Sequence, residues 1–204
     1  MMLIKTDNQN SIGLASEALM RGELIIYPTD TIYGIGADAR SEACVHKVDQ
    51  LKDREGKPLS IVVSDMAMAE HYCRINPLIG KFAKSLLPGP YTFVLERKGE
   101  GIARNAAGDT VGIRIPKCEF TLALVRAVGF PIISTSANIS GQAPACSVEE
   151  LDKHLLEGVN TVIDGGPCSQ RESSTVIDLR GSAPVVLRRG AGYDRFLELQ
   201  KSLL

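Results

Sequence analysis

The 204-residue sequence contains no tryptophan, three histidines and 5% aromatic residues. Its five cysteines are scattered, with no CxxC pair and no histidine at ligand spacing, which excludes the usual zinc motifs and indicates free thiols in a reducing compartment. No apolar run has the length of a membrane span or a signal-peptide core, so we expect a cytoplasmic protein without membrane contact. With a formal net charge of −1, any RNA binding would need a local basic patch.

Several catalytic motifs are absent as well. The sequence has no GxxxxGK[ST] and no GxSxG, and Gly34 and Gly36 supply only part of a dinucleotide-binding fingerprint. It therefore predicts neither a P-loop nor a serine hydrolase, and no nucleophile stands beside an evident base. The candidate site residues are cations and hydrogen-bonding side chains. They are typical of a reaction that depends on positioning and charge stabilisation, as nucleotidyl transfers do.

Helix and strand patterns alternate from end to end, which predicts an α/β or α+β sheet with covering helices. We find no strong linker and expect one domain over residues 1–204. Helices are predicted at 11–21, 42–52, 77–87, 119–128 and 193–204, with another opened by a capping box at Ser147. Strands are predicted at 24–27, 59–63, 91–95, 110–115, 131–134, 159–163, 175–179 and 185–187.

Two fixed cations, Lys52 and Arg54, stand where the second predicted helix ends, before a predicted turn at 55–58. One interpretation is that they cap the helix, because cations are favoured at a helix C-terminus. The other is that they bind phosphate, because arginine offers a rigid fork of donors and lysine a mobile point charge. Both interpretations stay open on the sequence alone.

Small polar residues follow two predicted strands. The segment 134–141 (STSANISG) carries hydroxyls and an amide, and the segment 28–34 (PTDTIYG) has a similar character. The first could be an ordinary turn, but ligand sites in α/β sheets lie at the carboxyl ends of strands. We therefore predict that the two segments share one polar pocket.

Arg114 lies inside an otherwise apolar predicted strand, next but one to Gly112. It could face solvent, or it could bind a carboxylate in a pocket that the backbone approaches closely. Arg188 is another arginine beside a predicted strand, since it directly follows the strand predicted at 185–187.

With these segments in view, the sequence resembles the YrdC-like family, the threonylcarbamoyl-AMP synthases of tRNA modification, in their short form with a single catalytic domain. The resemblance runs through nearly the whole chain. It is carried, in order, by 28–34 (PTDTIYG), 52–54 (KDR), 58–59 (PL), 88–92 (PGPYT), 112–116 (GIRIP), 134–138 (STSAN), 174–178 (STVID) and 187–188 (LR).

The resemblance implies a twisted mixed α/β sheet around a concave, positively charged cavity. It implies ATP with Mg²⁺, L-threonine and bicarbonate as substrates, and partner proteins that pass the threonylcarbamoyl group to tRNA. Carried over position by position, it implies catalytic roles for Lys52, Arg54, Ser136 and Asn138. ATP would also contact Thr110, Ser134 and Arg188, threonine would contact Thr31, Arg114 and Ser174, and no protein residue would bind a metal.

Two alternatives remain. The first is carbamoyl-adenylate chemistry with another acceptor. The second is a non-catalytic protein that binds double-stranded RNA or tRNA by shape and phosphate contacts. Basic side chains that could serve the second are Lys81, Lys84, Arg97, Lys98, Arg104 and Lys117.

Overall fold

Within the described residues, ten strands form one mixed sheet in the order β1-β8-β2-β3-β7-β4-β6-β5-β9-β10. The computed structural model describes residues 1–54, 56 and 58–203. Part of the turn predicted at 55–58 and the last residue of the predicted C-terminal helix lie outside these residues. The strands are β1 Met2–Lys5, β2 Ile25–Tyr27, β3 Gly34–Gly36, β4 Ser60–Val62, β5 Tyr91–Glu96, β6 Thr110–Arg114, β7 Ile132–Ser136, β8 Thr161–Asp164, β9 Thr175–Asp178 and β10 Val185–Arg188.

Helices join and cover these strands. They are α1 Ser11–Met20, α2 Glu42–Leu51, α3 Met66–Tyr72, α4 Pro77–Leu86, α5 Glu119–Val128, α6 Lys153–Gly158 and α7 Tyr193–Leu203. This confirms the predicted α/β sheet with covering helices. Among the described residues, no helix combines enough length and apolar character to cross a bilayer.

Local signals set several helix ends as predicted. The Ser41 side chain accepts a hydrogen bond from the Cys44 N–H and caps α2. Asn76 caps α4 in the same way, with Pro77 in the first turn. Gly129 ends α5 with φ of 73°, a left-handed conformation that favours glycine.

The capping box predicted at Ser147 is wrong. A capping box needs the Glu150 carboxylate to return to the N-cap residue. In the structure this carboxylate instead accepts the Cys146 N–H at 2.7 Å and pairs with Arg171 at 2.6 Å. The chain therefore makes a single 3₁₀ turn over Val148–Glu150, and α6 begins later, behind an Asp152 cap. The strand β1, the short strand β3 and the helix α3 were not predicted from the sequence.

The sheet has an apolar layer on each face. In β2, Ile25 and Tyr27 join a cluster with α1 and α5, whereas Ile26 joins the larger cluster on the other face. Successive residues of a strand point to opposite faces, so a strand buried on both faces reads as an uninterrupted apolar run. This explains why 24–27 was recognisable as a strand.

The mixed strand directions bring polar residues from different strands side by side. β4 runs antiparallel to β7, which places Ser60 opposite Ser134. It runs parallel to β6, which places Ser60 beside Gly112. The first residue of β4, the middle residue of β7 and a glycine of β6 thus meet in one row across the sheet.

We predict that Gly190→Ala destabilises the protein. A Cβ at this position would lie 2.1 Å from the carbonyl oxygen of Ser173, so the segment before β9 would have to move. We expect the free energy of unfolding to fall by about 1–3 kcal/mol, as for other overpacked sites. Urea unfolding measures this. Gly108→Ala is the control, because a Cβ added at that position would meet no atom within 4 Å. An equal loss of stability in both variants would contradict the steric explanation.

Candidate active site

A cavity of about 250 Å³ opens between the segments that precede β4 and β9 and those that end β6, β7 and β10. Most of the residues singled out in the sequence line it: Arg54, Arg114, Ser134, Ser136, Ser174 and Arg188. Three of these six are arginines, and the described lining includes no Asp or Glu. The prediction of a pocket at the carboxyl ends of strands needs a correction, because the mixed sheet also contributes strand starts, such as Ser60.

Arg114 is buried, with 7% of the residue exposed, so it does not lie on a solvent-facing side of the sheet. One Nη donates to Thr31 Oγ1 at 2.8 Å and lies 3.4 Å from Asp30 Oδ1. The other Nη lies 3.4 Å from Ser134 Oγ. The guanidinium is therefore held by partners from two other segments, and its charge is offset by a buried carboxylate.

The segment that carries Thr31 is fixed locally. Thr29 Oγ1 accepts the N–H groups of Thr31 and Ile32 at 3.1 and 3.3 Å, which makes a compact turn. Beyond it, the Tyr33 hydroxyl accepts from Gly165 N at 3.0 Å and donates to Gly166 O at 2.8 Å. These bonds hold Thr31 against Arg114.

Arg188 is bonded to Ser174, and both residues line the cavity. One Nη donates to the Ser174 carbonyl at 2.9 Å and to its hydroxyl at 3.2 Å. That hydroxyl also lies 2.8 Å from Thr92 Oγ1. Desolvation, and then the nearby charge of Arg114, lower the pKa of Arg188.

Lys52 follows the last residue of α2, but its side chain does not cap that helix. Its ammonium donates to the carbonyl of Ser136 and, at 2.5 Å, to the carbonyl of Asn138. The side-chain oxygen of Asn138 lies 3.4 Å away. The two segments that the sequence paired are thus in direct contact.

Burial also changes the acidity of this pair of cations. Desolvation, and then the charge of Arg54, lower the pKa of Lys52 from its usual 10.5 to about 8. Desolvation lowers the pKa of Arg54 too, and the ion pair with Asp49, 2.9 Å from Nε to Oδ1, opposes that shift.

Lys52, Asn138, Thr31 and Thr110 do not belong to the cavity lining. The Asn138 amide donates to the carbonyls of Ile139 and Gln142 at 2.9 and 2.8 Å, which binds it into its own loop. Thr110 lies at the start of β6, two residues before Gly112 and on the same face of the strand.

Five polar residues at the site were not among the predicted site residues: Asp30, Ser60, Thr92, Thr135 and Ser173. Asp30 neutralises Arg114, Thr92 supports Ser174, and Ser60 lines the cavity. Thr92 could have been found as a lone hydroxyl inside a strand of apolar and aromatic residues. The role of Asp30 depends on a contact across 84 positions of sequence, which no local pattern reveals.

The basic residues considered for RNA binding are not gathered here. None of the six lines the cavity in the described part of the chain. Arg97, for example, donates to the carbonyls of Ala107 and Ile102 and so supports a neighbouring loop.

Comparison with known proteins gives the family. The model of the Sua5/YciO/YrdC family, described as "Telomere recombination", matches residues 17–190. The chain belongs to the Sua5/YciO/YrdC family. This confirms the resemblance seen in the sequence.

Some relatives are similar in length to this chain and others are longer. A protein of Methanocaldococcus jannaschii is 37% identical over 190 residues, 92% of this chain and 89% of its own length. The threonylcarbamoyl-AMP synthase of Mus musculus is 40% identical over 79% of this chain, which corresponds to 60% of the mouse protein. The structure of P. abyssi Sua5 complexed with L-threonine superposes with a TM-score of 0.87 at 32% identity, over 97% of this chain and 60% of that one. The chain thus spans about three fifths of the two longer proteins.

The lowered pKa of Lys52 predicts a pH dependence of stability. The pKa is about 8 in the folded protein and near 10.5 when unfolded. Between these values the unfolded state holds more protons, so the wild type gains stability as the pH rises. Lys52→Met has no such titrating group and lacks this gain. The unfolding free energy of the wild type minus that of the variant should therefore increase with pH, by at most about 1.4 kcal/mol per pH unit. Urea unfolding at about pH 7 and about pH 9.5 tests it; parallel changes in both proteins would show that Lys52 titrates normally.

Proposed function

We propose that this protein is a threonylcarbamoyl-AMP synthase, which converts L-threonine, bicarbonate and ATP into threonylcarbamoyl-AMP and pyrophosphate. The observation that carries the proposal is the single cavity lined by Arg54, Arg114 and Arg188 together with serine hydroxyls. The names of the relatives and the threonine complex of P. abyssi Sua5 support the choice of substrates.

Threonine is assigned to the Arg114 side of the cavity. A guanidinium held by Asp30 and Thr31 keeps a fixed orientation and can bind the carboxylate through paired hydrogen bonds. Ser174 lines the same cavity, and its hydroxyl, bonded to Arg188 of the ATP side, marks the boundary between the two ends. Ser134, which the resemblance assigned to ATP, lies 3.4 Å from Arg114, so we now assign it to the amino-acid end.

ATP is assigned to the side formed by Arg54, Ser136 and Arg188. Two arginines can offset the charge of the triphosphate and of the departing pyrophosphate. The nucleoside would extend along β6 towards Thr110. Lys52 and Asn138 belong to this end through the Ser136 loop.

The reaction needs no enzyme nucleophile. The amine of threonine combines with bicarbonate to give a carbamate and water, and a carbamate oxygen then attacks the α-phosphorus of ATP as pyrophosphate leaves. The protein holds the carboxylate of threonine and the phosphates of ATP in line, and it stabilises the charge that moves onto the leaving group.

Magnesium is assigned to the substrate rather than to the protein. The ion prefers carboxylate and phosphate oxygens, and the described lining offers hydroxyls and guanidinium groups instead. We infer that it arrives on the phosphates of ATP. We also infer that the adenylate passes to tRNA-modifying partner proteins in the cytoplasm.

The activity itself is the first test. Purified protein is mixed with Mg-ATP, L-threonine and labelled bicarbonate, and we expect pyrophosphate together with a labelled AMP adduct. Omitting threonine should stop both. An adduct that forms equally well with another amine acceptor would favour different carbamoyl-adenylate chemistry. Tight, salt-dependent RNA binding without any adduct would favour the non-catalytic alternative.

Arg114→Lys tests the assignment of the two ends. Lysine keeps the charge that Asp30 needs but loses the paired donors, so we expect the KM for threonine to rise about 10-fold or more. The KM for ATP should change far less. Steady-state kinetics with each substrate varied in turn measures both, and equal increases would rule out a carboxylate clamp at this position.

A further inference from the structure

The Lys52 side chain is directed at protein oxygens rather than at the cavity. Only 4% of the residue is exposed. Its ammonium is surrounded by the carbonyls of Ser136 and Asn138 and by the side-chain oxygen of Asn138. An ammonium has three N–H donors, so these three acceptors match its full capacity.

The backbone of Lys52 is tied to the same loop. Its carbonyl accepts the N–H of Ser140 at 3.2 Å. The Asn138 amide group, which contacts the ammonium, also donates to Ile139 O and Gln142 O. Both the side chain and the backbone of Lys52 therefore join the end of α2 to the loop 136–142.

We propose that Lys52 is a positioning residue that fixes the loop 136–142, so that Ser136 faces the cavity, and that it does not contact the phosphates of ATP. The proposal deepens the proposed function, since the nucleotide it concerns is the ATP of that reaction. It separates the two cations of the 52–54 segment: Arg54 lines the cavity, whereas Lys52 acts through the loop.

The cost of breaking its hydrogen bonds favours a loop-positioning role for Lys52 over a phosphate contact. A phosphate could recruit Lys52 only if the ammonium left carbonyl groups that would then lack a donor, and an unsatisfied buried polar group is costly. The pKa of Lys52, lowered to about 8 by burial and by Arg54, fits an ammonium embedded in protein.

The first experiment needs no ligand and no activity. Amide hydrogen exchange is compared between the wild type and Lys52→Met, and we expect exchange within 138–142 to become at least about tenfold faster in the variant. Lys47→Met is the matched control, because this lysine lies on the same helix and donates to the carbonyl of Gly22 at 2.8 Å. It should leave 138–142 unchanged. Unchanged exchange in Lys52→Met would overturn the proposal.

The second experiment compares nucleotides. If Lys52 positions Ser136, and Ser136 contacts the α-phosphate that AMP and ATP share, Lys52→Met should weaken the binding of AMP and of ATP by the same factor and leave threonine affinity unchanged. A direct phosphate contact predicts a much larger loss for ATP than for AMP, and that result would overturn the proposal. A loss for threonine as large as that for the nucleotides would also overturn it, because it would indicate a general defect. Binding is measured by calorimetry.

A measurement on the wild type covers the case in which Lys52→Met does not fold. The ¹⁵Nζ signal of Lys52 is followed by NMR while AMP or ATP is added. Equal changes in the chemical shift of this signal with AMP and with ATP support the positioning role. A change with ATP alone overturns it. If the loop result holds and the synthase assay fails, the proposed function is wrong while the structural role of Lys52 stands.

Discussion

Buried positive charge is the constraint on which this structure depends. Lys52 and Arg114 are 4% and 7% exposed, and a charge that is removed from water must be paired or hydrogen-bonded. Their partners lie far away in sequence: 136 and 138 for Lys52, and 30, 31 and 134 for Arg114. Satisfying the two cations therefore draws four separate segments together, and the cavity lies between them.

The strand directions decide which residues those segments contribute. In a purely parallel sheet, only carboxyl ends would meet at one edge. Here β4 and β7 are antiparallel, so Ser60 at the start of one strand faces Ser134 in the middle of the other. Gly112 beside them has no side chain, and a Cβ there would lie 2.6 Å from Ser60 Oγ. The row of small residues leaves the space that a substrate needs.

The sequence predicts local features well and distant contacts poorly. Ser41, Asn76 and Gly129 mark helix ends because their signals act within a few residues. The failure at Ser147 has a local and a long-range cause, since Glu150 bonds to the Cys146 N–H and to Arg171. At the site, residue types indicated phosphate and carboxylate binding, and the family resemblance supplied the roles. Neither could show that Asp30 pairs with Arg114 or that Lys52 faces a loop, because both depend on tertiary contacts.

The most direct test of the account is a crystal structure with L-threonine and a non-hydrolysable ATP analogue. The account predicts that both ligands occupy the cavity between β4, β6 and β7, with the carboxylate on Arg114 and the phosphates near Arg54 and Ser136. Lys52 should keep its bonds to the carbonyls of residues 136 and 138. A nucleotide bound elsewhere, for example in the cleft between residues 85–91 and Arg195, would contradict the claim that one cavity holds both substrates.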